Sequence, residues 1–236
     1  MNSRGFAGKM TVDIGGETVS SKEEEKLLGL KINSSLDWKN HLNYLSNTLK
    51  QRTALLKRIK LRVHNDKLRM IADAIFNAKL RYGIALYFKP RLKEGDEKCS
   101  TQEPLQVLQN DMLREIFGHK RADRINMEEL RKKQGMLSVN QLACYHILIE
   151  TFNILNRNSS PQIEEKIRPR INTRYNMRSN DKGELHIIDK PLKSCTGFTY
   201  MAGKLWNLLP EEVRRISEPD PFKLKIKVWI DENIPS

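Results

Sequence analysis

The sequence predicts a mainly α protein. A small N-terminal β-hairpin, or three-strand edge, leads into a helical bundle and then into an irregular, α-rich C-terminal region. Three observations carry that reading. Apolar residues alternate with polar ones only near the N-terminus, around Val12 and Ile14. From Trp38 onward they recur every three or four residues, the period of a helix with one buried face. Hydrophobic residues make up 39% of 236, enough for a core and too many for a disordered chain. The natural divisions are 1–34, 35–120 and 121–236.

Each element has its own signal. "KMTVDIGGETVSS" reads as a hairpin, because Gly15-Gly16 supplies the positive φ angles of a tight turn. "LLGLKI", Leu27 to Ile32, reads as a third strand. A helix opening at Ser34, Ser35 or Asp37 follows, with Trp38, Leu42, Leu45, Leu49, Leu56 and Ile59 as its buried stripe and Arg52 replacing one apolar step. A second helix runs toward Pro90 with Leu68, Ile71, Ile75, Ala78, Tyr82 and Leu86 on its face. "RLKEGDEKCSTQ" is a charged loop. A third helix starts at Pro104, buries Leu105, Leu108, Met112 and Ile116, and stops at Gly118. A short helix near Met127–Lys133, a long one from Ser138 to Leu155, two short ones split by Pro210 and a last one opened by Pro221 complete the chain. The stretch 166–198 reads as loops with a hairpin.

Charge points to the partner. Lys plus Arg total 42 against 29 Asp plus Glu, a formal charge of +13. That balance favours RNA, DNA or another anionic surface. Cys99, Cys144 and Cys195 lack metal-ligand spacing, and their odd number suits a reducing compartment. No apolar run has the length of a signal core or membrane span, so the expected setting is intracellular, nucleus or cytoplasm, without a membrane.

Catalytic constellations do not assemble along the sequence. No histidine among His41, His64, His119, His146 and His186 has a second His or Cys three or four places away, so no metal is expected. There is no G-x-S-x-G elbow and no phosphate loop, and no cofactor is implied. Carboxylates are scattered, whereas two-metal phosphoryl chemistry requires them clustered. Glu128-Glu129 and Glu211-Glu212 read as ion-paired surface. The basic residues are better organised. Lys50, Arg52, Lys57, Arg58, Lys60, Arg62, Lys67 and Arg69 face a single opposing acid, Asp66, within their run. They span a helix end, a connector and a helix start, a ridge suited to backbone phosphates. A second run holds Lys166, Arg168, Arg170, Arg174 and Arg178 with Tyr175, an aromatic that could stack on a base. Plain solvated surface is the competing reading of both runs.

Four blocks, in order, resemble the part of non-LTR retrotransposon reverse transcriptases (LINE-like, jockey and CR1 type) that follows the catalytic palm. The first is "EEEKLLGLKINSSLDWKNHL", with Lys26, Leu28, Gly29, Leu36, Trp38, His41 and Leu42 at the matching places. "KLRYGIALY" follows, with Tyr87 where the family usually has tryptophan. "LQVLQNDMLREIFG" matches through Leu108, Gln109, Asn110, Arg114, Ile116 and Gly118. The last is "GKLWNLLPEEVRRISEPDPFKLKIKVWI". The resemblance implies a primer-grip-like segment at Lys26, Leu28 and Gly29, a thumb-like helical bundle, and RNA or DNA as partner. The family's Tyr-x-Asp-Asp turn is not in the sequence, so the expectation is a nonenzymatic polymerase remnant. The alternatives are an inert truncated fragment, or a piece that works only with a palm domain on another chain.

Overall fold

The computed structural model describes residues 11–35, 37–97, 99–156, 163, 167, 183–185 and 197–236. It is mainly helical, with a small β portion at the N-terminal end. Strands β1 (Thr11–Ile14) and β2 (Glu17–Ser20) form the expected antiparallel hairpin, Val12 opposite Val19. Every residue of both strands is exposed. The next segment corrects the sequence reading. "LLGLKI" is not one strand but parts of two: β3 (Glu24–Leu27) pairs antiparallel with β4 (Leu30–Asn33). Leu28 and Gly29 both have positive φ, 47° and 84°, which reverses the chain in two residues. The two hairpins are separate sheets and do not join into a three-strand edge.

The turn from β4 into the first helix is built by side chains. Asn33 and Asp37 bond reciprocally, Asn33 Nδ2 to Asp37 Oδ1 at 2.8 Å and Asp37 N to Asn33 Oδ1 at 3.3 Å. Asp37 Oδ1 also accepts from the Lys39 amide at 3.1 Å, and Trp38 takes a left-handed conformation. Helix α1 (Lys39–Ile59) then buries the predicted Leu42, Leu45, Leu49 and Leu56. Its principal partner is α5 (Glu103–Phe117), with the helix that follows α1 as a second neighbour.

That following helix departs from a plain α period. It comprises α2 (Asn65–Ala72), a wide π turn (Asp73–Asn77) and α3 (Ala78–Arg81). The buried residues are Leu68, Ala72, Phe76 and Leu80, four apart each time. Steps of four drift round an α-helix by about 40° each, and the wide turn takes up the drift. Of the predicted face only Leu68 is fully buried; Tyr82 and Leu86 are exposed. Gly83 (φ 70°) then breaks the helix before α4 (Ile84–Tyr87). A Cβ at Gly83 would lie 3.1 Å from Leu30 Cδ2, so β4 packs where only glycine leaves room.

Beyond the charged loop, α5 buries Leu105, Leu108, Met112 and Ile116 and ends at left-handed Gly118, as expected. Helix α6 (Met127–Lys133) is capped by Asn126, which accepts from the Glu128 and Glu129 amides. Helix α7 (Val139–Asn156) opens with a capping box. Gln141 N donates to Ser138 Oγ at 3.1 Å, and Ser138 N to Gln141 Oε1 at 3.0 Å. Helices α8 (Phe198–Leu208), α9 (Glu211–Arg214) and α10 (Pro219–Asn233) follow. The predicted loops and hairpin of 166–198 lie almost entirely outside the described residues. One apolar cluster gathers Leu30, α1, α5 and the helices between them; a second gathers Phe152, Trp206, Phe222, Ile226 and Ile230. Helix α7 feeds both, Val139 and Ala143 into the first and Cys144 to Phe152 into the second.

Three substitutions test this packing. Leu49 is 0% exposed, so Leu49→Ala should lower unfolding free energy by about 2–5 kcal/mol in urea titration. Arg52 Nη1 donates to the Ile75 carbonyl inside the π turn. Arg52→Leu should therefore cost about 1–3 kcal/mol, while Lys57→Ala on the exposed side should stay within about 0.5 kcal/mol.

Candidate nucleic-acid interface

Among the described residues, cations and aromatics gather where the second hairpin meets the helices. Tyr44 on α1 has three ammonium groups near its ring: Lys79 at 5.5 Å, Lys26 at 5.7 Å and Lys31 at 5.9 Å from the centroid. Lys79 also sits 5.6 Å from the ring of Tyr82. Tyr82 in turn donates to the Leu28 carbonyl at 2.6 Å and lies 3.6 Å from where a Gly29 Cβ would be. Lys26, Leu28 and Gly29, expected from the resemblance to act together, are divided in role. Lys26 is an exposed cation of the patch, and Leu28-Gly29 is the turn that Tyr82 anchors. One carboxylate answers the lysines: Lys31 pairs with Glu24 at 2.6 Å. That bond, with Asn40 on the other oxygen, holds the Glu24 carboxyl below its ordinary range.

His41 sits beneath this patch, 1% exposed. Its Nδ1 accepts from the Lys31 amide at 3.3 Å, so it fastens β4 to α1. Its ring is 4.9 Å from that of Tyr87. Burial first, then Lys79 and Lys31, depress its pKa to about 4.

The predicted ridge separates into two groups. Lys50, Lys57, Arg58, Arg62 and Lys67 are exposed and make no ion pair among the described residues. Lys50 and Lys57 lie seven positions apart and so share a face of α1. Three other members hold the fold together instead. Arg52 serves the π turn, Lys60 donates to the Glu115 carbonyl at 3.0 Å, and Arg69 grips Gln134 through its side chain and carbonyl. Leu61 and Met70 protrude among the free cations. The second run, with Arg168, Arg170, Arg174 and Tyr175, lies outside the described residues, as does Leu36.

Sequence reasoning missed Tyr44, Lys31, Lys79 and Tyr82 as a group. The spacing of Lys79 and Tyr82, three residues apart, puts them on one helical face and was the legible half. Their meeting with Lys26 and Lys31 depends on the second hairpin folding back. Among the described residues, no three His, Cys, Asp or Glu side chains converge as metal ligands, and no helix is long and apolar enough to cross a membrane. Cys144 is fully buried, which pushes its thiol pKa up.

The histidines give a pH test. His146 is also depressed to about 4, by burial and then Arg81. A histidine ordinarily titrates near 6.5, so between pH 6.5 and 4 the unfolded chain binds more protons than the folded one. Stability should therefore be fully present above about pH 6.5 and fall as pH drops toward 4. His41→Gln should flatten that slope in urea midpoints measured across the range; an unchanged slope would contradict the buried, neutral His41.

Compared with known proteins, the chain matches no family model, no curated protein and no solved structure.

Proposed function

We propose that this chain is a nonenzymatic module that grips RNA or DNA by its phosphate backbone and needs no cofactor. The observation that supports it best is the convergence of Lys26, Lys31 and Lys79 on Tyr44, with Tyr82 alongside. Three like charges share one small area, with Lys31 paired to Glu24 among the described residues, an arrangement that a polyanion relieves. The exposed ring of Tyr82, with half-buried Tyr44 beside it among the lysines, gives bases a surface to stack on without reading sequence. The unpaired cations from Lys50 to Lys67 extend the positive surface along α1 and α2. The resemblance to retrotransposon polymerases past their palm agrees with this reading, and the Tyr-x-Asp-Asp turn of such enzymes is not in the sequence.

A second reading has its own observation. Val12 and Val19 pair across the first hairpin and Ile14 shares their face, all 52–65% exposed. Such an uncovered apolar sheet face suits another polypeptide, and a polymerase chain supplying a palm is the partner the resemblance implies.

Fluorescence anisotropy with labelled single-stranded RNA and duplex DNA tests the first reading. Lys26→Gln with Lys79→Gln should weaken binding to all sequences alike and make the log–log salt slope shallower by about 0.7–0.9 per lost contact. Charge reversal at Lys57, Arg58 and Arg62 should act in the same direction. Lys223→Gln with Lys225→Gln on α10 removes equal charge elsewhere and should change little; an equal loss would reduce the effect to bulk charge. Primed template with dNTPs and Mg²⁺ should show no extension by the purified chain, and template-dependent extension would overturn the nonenzymatic assignment.

A further inference from the structure

A cavity of about 370 Å³ lies between α2, the π turn, α5, the turn after α6, α7 and α10. This is the seam where the two apolar clusters meet on α7. The volume falls within the range of small-molecule sites, and such sites favour seams between packed bodies. Its wall is of two kinds. Met112, Ile116, Met136 and Leu142 give an apolar side, with two thioethers that adapt to a ligand's shape. Arg69, Arg81 and Lys227 bring three cations against one carboxylate, Asp73.

The cations differ in how they are held. Gln134 fixes Arg69 through two bonds, at 3.2 Å and 2.7 Å. Asp73 fixes Arg81 at 3.0 Å and also accepts from Asn77 at 3.1 Å. Lys227 has no ion pair among the described residues. Two guanidinium groups are thus set in place before any ligand arrives, with the exposed Lys227 on the same wall, which lowers the ordering cost of binding an anion. Neighbouring wall residues have unspent hydrogen-bonding capacity: His146 Nε2 and Asn77 Oδ1 are buried without a hydrogen-bond partner among the described residues.

We infer that this cavity is a binding site for a small organic anion, an apolar body carrying one phosphate or carboxylate. The acid group meets Arg81 and Lys227, and the body lies against the methionines and Leu142. A free inorganic anion leaves the apolar wall empty, and an uncharged body leaves the cations unanswered, so both bind less well.

Isothermal titration of the full chain separates these cases, with phenyl phosphate, benzoate, inorganic phosphate and phenol as probes. Phenyl phosphate or benzoate should bind saturably at one site, the tighter of the two identifying the acid group. Inorganic phosphate and phenol should each bind more weakly than that probe. Lys227→Gln, on an exposed side chain that does not endanger folding, should weaken it about threefold. Arg81→Gln should weaken it about tenfold, the scale of a charge-assisted hydrogen bond. No saturable binding of either acid would overturn the inference. So would phenol binding as tightly as the acids, or both variants binding like the parent chain. Because RNA binding at Tyr44 is measured separately, loss of one activity leaves the other standing.

Discussion

Helix α7 carries apolar side chains around most of its circumference, and no single neighbour covers such a helix. The chain therefore brings elements from both directions onto it. Its N-terminal end is where they are fixed. Besides the Ser138–Gln141 capping box, the Val139 amide donates to Gln106 of α5 at 2.8 Å. Asn140 exchanges two bonds with the Arg91 backbone and donates to the Pro235 carbonyl, while Gln141 donates to that of Ile234. Gln102, the N-cap of α5, and two glutamines within α5 act likewise: Gln102 reaches the Tyr87 carbonyl and Gln109 the Leu137 carbonyl, at 3.3 Å and 3.0 Å, while Gln106 takes the Val139 amide. Buried amides align the helices at this end of α7, consistent with the low cost of burying a neutral group once it is paired.

Several residues on which the expected resemblance rests serve the packing. Gln109 and Asn110 hold Leu137 and Arg131, and Arg114 pairs with Asp111. Trp206 donates to the Gly183 carbonyl at 3.0 Å. Asn207 clasps Leu185 through both halves of its amide, at 2.8 Å and 2.9 Å. Gly29 makes a turn and Gly118 ends a helix. These motif positions build the scaffold, so a likeness in them concerns architecture more than chemistry.

The sequence was legible where the period was regular. The stripes of α1 and α5 and the cap at Gly118 could be read because each residue sits where a 3.6-residue repeat puts it. Ile71 and Ile75 pack partly buried against the core as their spacing predicts, whereas Tyr82 and Leu86 are exposed because the π turn and the break at Gly83 shift the face by an increment that apolar spacing alone does not announce. Leu28 was misread for a related reason: a leucine at positive φ goes against its usual preference, and the compensating bond comes from Tyr82, far along the chain. The ridge was half legible. Composition shows that Arg52, Lys60 and Arg69 are cations, but whether a long side chain ends in water or on a carbonyl is settled by the tertiary fold.

The first hairpin has a consequence of a different kind. None of its eight strand residues is buried, so its opening exposes no core and costs only its own cross-strand bonds. It forms a separate cooperative unit whose amides exchange with solvent independently of global unfolding. The second hairpin is anchored through Leu30, Gly83 and His41, and its protection follows that of α1. Two neighbouring ribbons of similar length thus belong to different energetic tiers of one molecule, and the boundary between them falls in the few residues from Ser21 to Glu23.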